Sequence, residues 1–233
     1  MKPIIKYTSA IDFYKKIFVP SKSQIPDWYK NAKSTMLTEG KKDSKVFLDS
    51  RNKNFKLCSP FLDSLTSGYL VLCPVDIIVS HDDFGKPLLN WNINEELVSL
   101  RQEQSESIPV PIGCHEDTFV WIFPTAIKLP KGYSALITHP LNRFDLPFVV
   151  ASGIIDDGYA MAKGNYPFFI KKDFNGIIKQ GTPIAQVLPF KRESWVSEDD
   201  PLILGEAMLN HKKATAVLFG WYKNTFWKKK QYD

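Results

Sequence analysis

Two glycine-containing apolar segments in the second half of the chain constrain its fold most. The first, Gly153–Tyr159, is a short apolar run that ends in the acidic pair Asp156-Asp157 before a glycine. The second, Phe174–Gln186, contains two glycine turns followed by another short apolar run. Short apolar runs separated by glycine turns are typical of antiparallel strands. These segments therefore predict compact antiparallel β structure.

Further strand candidates extend this pattern over the middle of the chain. They share β-branched or aromatic composition and are separated by proline and glycine turns; they are Tyr69–Val79, Trp91–Ile93, Thr118–Phe123, Ala126–Leu129, Ser134–Thr138, Phe148–Ile155, Phe168–Ile170 and Pro183–Pro189. Such spacing is expected of a barrel or sandwich. We predict a mainly β fold, with the β domain at residues 59–195.

The two ends differ from this domain in composition. Residues 1–58 are lysine-rich and predict a basic N-terminal arm or cap, in which Trp28 and Tyr29 dock on the body, with Trp28 in the core. Ser59-Pro60 is a good helix start, so a short helix is expected there. Residues 196–233 have apolar residues at roughly helical spacing and predict a C-terminal helix packed on the core.

Length and composition indicate a globular protein kept in a reducing compartment. A chain of 233 residues that is 44% hydrophobic can bury a substantial core. It has no apolar run long enough to span a bilayer, and no signal-peptide core follows its first residues, so we expect cytoplasmic localisation and no membrane contact. Three widely spaced cysteines, Cys58, Cys73 and Cys114, suit buried reduced thiols better than disulfides.

Charge is distributed unevenly and suggests partners. Residues 1–58 carry a net charge of +8, residues 59–208 of −8 and residues 209–233 of +5. Basic ends flanking an acidic middle favour contact with the middle or with a second copy of the chain. The basic aromatic segment Phe226–Tyr232 also has the composition of a nucleic-acid contact, although cations complementing a helix C-terminus explain it better.

Several motifs resemble a known class of enzymes. Leu129–Thr138, Gly153–Asp156 with Tyr159, and Gly181–Gln186 look like the β-clip of dUTPases and dCTP deaminases over about 60 residues. The resemblance implies that Asp156 orients the attacking water, Tyr159 packs under the deoxyribose and Gln186 contacts phosphate. It also implies Mg²⁺ as cofactor if the chain is a nucleotide hydrolase.

The chain differs from that class at the residues that bind phosphate. The families carry an Arg-Ser-Ser/Gly element, and here the corresponding residues are His139–Arg143, so Arg143 alone supplies a guanidinium. A glycine-rich C-terminal arm and the acidic general base of the deaminases have no counterpart. Because charge stabilisation of the transition state is usually the largest catalytic contribution, these departures argue against dUTP hydrolysis.

A second resemblance covers most of the chain. Its motifs include Cys58-x-Pro60, Gly68-Tyr69, Pro140-x-Asn142 and Pro189-x-x-Arg192. They are similar to an uncharacterised family of bacterial and tailed-phage proteins of about this size. This resemblance implies a shared fold and is compatible with a phage-encoded protein, including a virion component.

Histidines raise the question of a metal. The pair His115-x-Asp117 resembles part of a two-His, one-carboxylate iron site, for which His139 or His211 would supply the second histidine. His139 is close in sequence and His211 falls in the predicted helix, so local hydrogen bonding explains the pair better. We expect no metal site.

The sequence therefore predicts a non-catalytic binding or assembly module on a β-clip-like scaffold, forming a homo-oligomer or joining other subunits, without a cofactor. The alternative is a divergent nucleotide-binding protein or nucleotide pyrophosphatase. In that case the ligand would lie among Arg143, Tyr159 and Gln186, with Asp156 as the catalytic residue.

Overall fold

The computed structural model describes residues 2–9, 11–34, 54–101, 108–123, 125–157, 164–216 and 220–233. Its strands are β1 Lys6–Ser9, β2 Phe18–Pro20, β3 Tyr69–Leu72, β4 Ile77–His81, β5 Pro87–Asn90, β6 Val98–Leu100, β7 Cys114–Phe123, β8 Thr125–Lys128, β9 Tyr133–Thr138, β10 Phe148–Val150, β11 Gly153–Asp156, β12 Gly164–Lys171, β13 Gly176–Ile178 and β14 Pro183–Lys191. Its α-helices are α1 Asp27–Asn31, α2 Ser59–Thr66, α3 Ile203–Ala216 and α4 Trp221–Thr225.

The described strands form four sheets, and their pairings are antiparallel. The largest has the order β11-β9-β14-β3-β2, and a second has the order β10-β12-β7-β6. The strands β13-β4-β5 form a third sheet, and β1 pairs with β8. The mainly β, antiparallel class predicted from the glycine turns is therefore confirmed.

A single aromatic cluster lies in the core of the second sheet. Trp121 is fully buried and stacks on Phe168 with ring centroids 4.2 Å apart and an interplanar angle of 10°. Phe148 meets both rings edge-on, at 5.8 Å and 6.0 Å. Such offset and edge contacts add to the hydrophobic contribution of burying three large rings.

The N-terminal residues are built into the sheets, so they form a cap. β1 pairs with β8 and β2 pairs with β3, and Tyr14 between them is 1% exposed. Residues 35–53 of the predicted arm lie outside the described residues. The prediction that Trp28 belongs to the core was wrong, because neighbouring residues of the one-turn helix α1 face different ways: Tyr29 is 6% exposed and Trp28 is 41% exposed.

The predicted strands exist, with three exceptions in detail. Phe148–Ile155 is two strands, β10 and β11, which lie in different sheets. Tyr69–Val79 is two strands, β3 and β4, separated by a turn at Pro74, which has no N–H to donate to a ladder. Trp91–Ile93 is not a strand but lies in the bend between β5 and β6, where the Trp91 indole N–H donates to the Glu95 carbonyl at 2.8 Å. The short helix predicted at Pro60 is α2.

The C-terminal region differs from its prediction. α3 begins close to the predicted start, but none of its residues is buried by the described part of the chain, so this helix does not pack on the core. Contact with the body is made by the last residues instead, where the Trp227 indole N–H donates to the Asp63 carboxylate at 2.9 Å and Tyr232 meets Tyr69 edge-on. The domain boundaries at 58/59 and 195/196 stay predictions.

The three cysteines lie in two environments. Cys73 and Cys114 are buried free thiols as expected, whereas Cys58 is exposed.

No helix in the described ranges is long and apolar enough to cross a membrane.

Candidate functional site

The acidic pair at the end of β11, Asp156-Asp157, is held by one arginine. Arg192 reaches Asp157 Oδ1 with Nη2 at 2.5 Å and Asp156 Oδ1 with Nη1 at 3.2 Å. Ser134 donates its hydroxyl to Asp156 at 2.5 Å, and the Gly132 N–H donates to Asp157 at 2.7 Å. Asp156 therefore has a hydrogen-bond donor and a cation from within the chain, and its side chain is still 65% exposed.

Charge in this turn favours the ionised carboxylate of Asp157. The Gly132 N–H and then the Arg192 guanidinium lower the pKa of Asp157 below its usual range. The same contact raises the pKa of Arg192. This arrangement is a charge-paired turn that fixes β11 to the end of β14.

Gln186 lies in the core and its amide is engaged on both sides. It is 1% exposed. Its Oε1 accepts from the Leu141 N–H at 2.8 Å, and its Nε2 donates to the Ser64 and Ser67 carbonyls at 2.9 Å and 2.8 Å. These carbonyls end α2, where helices leave backbone acceptors without internal partners. Gln186 thus joins the end of α2 to the loop after β9.

Arg143 is paired with a neighbouring carboxylate. Its Nε donates to Asp145 Oδ1 at 2.9 Å and its Nη2 to Oδ2 at 2.9 Å, a bidentate contact. Burial raises the pKa of Asp145, but the hydrogen bonds and charge of Arg143 outweigh burial, so the net pKa is lowered. A hydrogen bond from Trp28 acts in the same direction.

This ion pair borders a cleft of about 660 Å³. The cleft lies between the segment before and within α1, the loop containing Arg143, and the hairpin around β13. The charged groups and the exposed indole in its lining are Lys30, Arg143, Lys179, Asp27, Asp145 and Trp28. Its volume is in the range of small-molecule sites.

The predicted site residues do not meet at one place in the monomer. Asp156 pairs with Ser134 and Gln186 pairs with Thr138, which is four residues further along β9, a distance of about 13 Å along the strand. Gln186 bonds to Leu141, two residues before Arg143 in the loop after β9, whereas the Arg143 guanidinium is directed to Asp145. Tyr159 lies outside the described residues. The ligand-binding roles of these residues stay predictions.

Sequence reasoning missed the internal partners of these residues. Arg192 belonged to a recognised motif, Pro189-x-x-Arg192, but nothing in that motif indicated that it pairs with Asp156 and Asp157. Ser134 is a buried polar residue of β9, and its sequence context gave no separate signal.

The C-terminal basic aromatic segment is partly engaged. Lys230 contacts Asp63 at 2.5 Å beside the Trp227 contact, and its ammonium lies 5.7 Å from the Trp227 ring centroid. Trp227 is thus positioned by a carboxylate and a cation of the chain. Nothing in the described residues supports nucleic-acid binding by this segment.

A largely apolar surface is exposed on α3 and just before it. Leu204 is 64% exposed and Met208 57%, while Ile203 is 61% and Leu209 51%. In the extended segment before the helix, Trp195 is 85% exposed. We call residues 193–216 the exposed arm.

Comparisons with known proteins give distant structural similarity. Searches against protein-family models and curated proteins return no match. A mutant dUTPase of phage phi11 of S. aureus is similar at 10% identity, covering 85% of this chain and 97% of that chain, with a TM-score of 0.35. The native EIAV dUTPase is similar at 15% identity, covering 58% of this chain and 85% of that chain, with a TM-score of 0.32. A Staphylococcus bacteriophage 80alpha dUTPase with dUpNHpp has 12% identity, covers 85% and 88%, and has a TM-score of 0.35.

These dUTPases are the class of protein that the sequence motifs resemble. TM-scores this low carry no argument about activity, ligand or assembly. The mainly β, antiparallel fold stands on the described strands and their pairing.

Proposed function

We propose that this chain is a non-catalytic binding and assembly module on a β-clip-like scaffold, and that it associates with further copies of itself through the exposed arm. The observation that carries the proposal is the apolar surface of α3. Leu204 and Met208 are four residues apart and share one side of the helix, while Leu209 lies on another side. A helix that is apolar on several sides is normally buried.

Burial of this surface gives association a driving force. Fully burying a leucine or methionine side chain contributes about 1.5–3 kcal/mol. Four such side chains, each more than half exposed in the single chain, are therefore a substantial contribution. Their exposure in the monomer is explained if a partner covers them.

Charge along the arm favours a second copy as that partner. The arm begins with the acidic residues Glu193, Glu198, Asp199 and Asp200 and ends with Lys212 and Lys213. Two arms that pair antiparallel place the acidic start of one against the basic end of the other. A two-fold interface of this kind is self-complementary.

The engagement of the predicted ligand residues supports a non-catalytic role. Arg143 is paired with Asp145, Asp156 with Arg192, and the amide of Gln186 is saturated by backbone groups. These internal contacts compete with a bound phosphate for Arg143 and Gln186.

Association is tested by measuring the mass of the purified protein by light scattering and native mass spectrometry. We expect the wild type to be a multimer and the double variant Leu204→Glu, Met208→Glu to be a monomer with unchanged circular dichroism. The matched control is Phe84→Glu, which replaces a side chain that is 91% exposed in the β4–β5 turn. A wild type that stays monomeric at its highest soluble concentration would refute the proposal.

We propose that the protein is encoded by a phage and is a component of a phage assembly such as the virion. It rests on the resemblance to bacterial and tailed-phage proteins. Mass spectrometry of purified particles of the encoding phage tests it, since a virion component must be present in stoichiometric amount.

The second candidate is nucleotide binding, and the cleft beside Arg143 and Trp28 favours it. A cation and an exposed indole in one cleft suit a phosphate and a base. A nucleotide at 100 times its Kd adds about 2.7 kcal/mol of stability, which thermal denaturation with dUTP or dCTP, with and without Mg²⁺, measures. The shift should vanish in Arg143→Ala and persist in Lys86→Ala, whose side chain is exposed elsewhere.

A further inference from the structure

Two histidines from different sheets meet with their ring nitrogens in contact. His81 ends β4 and His115 is the second residue of β7. Their Nε2 atoms are 3.1 Å apart, and their ring centroids are 5.1 Å apart at an interplanar angle of 39°. Both residues are partly exposed.

This pairing is not the one that the sequence suggested. His139, one of the two expected partners of His115, contacts the Arg143 carbonyl at 3.1 Å and the Val150 N–H at 3.4 Å. His211 is exposed on α3. Only the order of the strands brings His81 to His115.

The separation of the two nitrogens suits chelation of one ion. Imidazole nitrogens bind Zn²⁺ at about 2.0–2.1 Å. Two bonds of about 2.05 Å that span 3.1 Å enclose an angle of about 100° at the ion. That angle lies between the values for octahedral and tetrahedral coordination.

The ring nitrogens that face each other are both Nε2. Nδ1 of each ring is therefore the nitrogen that carries the proton when both Nε2 atoms bind an ion.

The charges around the pair are balanced. Asp117 is two residues along β7 and its charge favours a cation at His115, whereas the charge of Lys172 opposes one. Asp82 is committed to its turn, where it accepts from the Phe84 and Lys86 N–H groups.

We infer that His81 and His115 form a binding site for one late first-row divalent cation such as Zn²⁺, with water completing its coordination. Among the described residues no group of three or more His, Cys, Asp or Glu side chains is placed to hold a metal, so the protein supplies two ligands. Imidazole suits Zn²⁺, Ni²⁺ and Cu²⁺, whereas Mg²⁺ prefers oxygen ligands.

Ion binding replaces the contact between the two rings. In the pair, one Nε2 carries the proton that lies between the two rings. On binding, that proton moves to Nδ1 of the same ring and both Nε2 lone pairs face the ion. The ion then links β4 to β7 and so joins two sheets. This site is separate from the exposed arm, and the inference does not depend on the proposed association.

The experiment is a Zn²⁺ titration of the full chain, followed by competition with a chromogenic chelator. We expect one ion per chain in the wild type and in the control variant His211→Asn. In His81→Asn and in His115→Asn the affinity should fall at least about tenfold, the loss seen when even an orienting group of a metal ligand is removed. Mg²⁺ should not compete.

A measurement on the wild type covers the case in which a histidine variant fails to fold. Imidazole nitrogen NMR should show Nε2 of His81 and His115 shifting on Zn²⁺ addition, while His211 does not shift. Zn²⁺ affinity unchanged in both folded variants, absence of binding by the folded wild type, or unshifted Nε2 signals would each overturn the inference.

Discussion

Replacing Gln186 by methionine separates a structural role for this residue from a ligand-binding role. Methionine has nearly the same length and shape but no hydrogen-bonding amide. In the folded protein the change leaves three backbone groups without their partner: the Leu141 N–H and the carbonyls of Ser64 and Ser67. If Gln186 instead contacts phosphate, the same change lowers nucleotide affinity and leaves stability nearly unaltered.

The size of the effect follows from these three contacts. A buried polar group that loses its partner costs about 1–3 kcal/mol. Ser64, Ser67 and Leu141 are only partly buried, so water compensates in part and roughly 1–2 kcal/mol each is appropriate. Burying a more apolar side chain returns about 1 kcal/mol. The free energy of unfolding should therefore fall by about 3 kcal/mol.

The assay is urea denaturation followed by fluorescence, with thermal denaturation alongside. For a chain of this size about 3 kcal/mol corresponds to a decrease in Tm of roughly 6–12 °C. The matched control is Gln180→Met, whose side chain is exposed and which should stay within about 0.5 kcal/mol of wild type. A loss of less than about 1 kcal/mol in Gln186→Met, with an unchanged m-value, would refute the hydrogen-bond reasoning.

Three further predictions concern other parts of the fold. Gly68→Ala should destabilise severely, because Gly68 has φ +69° and an added Cβ would lie 2.1 Å from the Val187 carbonyl oxygen; denaturant unfolding at wild-type stability would contradict this. Burial lowers the pKa of His139 in the folded protein. The contribution of this residue to the free energy of unfolding is therefore fully present above about pH 6.5 and is lost as the pH falls through the folded-state pKa. In His139→Gln the slope of the unfolding free energy against pH between 7.5 and 5 should be flatter than in the wild type. A thiol reagent should modify Cys58 quickly, whereas burial raises the pKa of Cys73 to about 12 and protects it until unfolding; rapid modification of every thiol in the native protein would count against the described core.

Local signals in the sequence determined the mainly β class, most strands, helix α2 and the start of α3. Glycine turns, proline positions and apolar periodicity act over a few residues, so they can be read without knowing what packs against them. The same signals placed Trp28 in the core and α3 on it, and both were wrong, because periodicity indicates an apolar side but not what covers it.

Tertiary structure alone decided which polar groups meet. Gln186 bonds to residues up to 122 positions away, and His81 meets His115 across 34 positions. In an antiparallel sheet such partners depend on strand order and register, which arise from the packing of the whole chain. The sequence by itself therefore determined the kinds of element and the candidate residues, whereas the fold determined that Gln186, Arg143 and Asp156 have internal partners and that the two histidines form a pair.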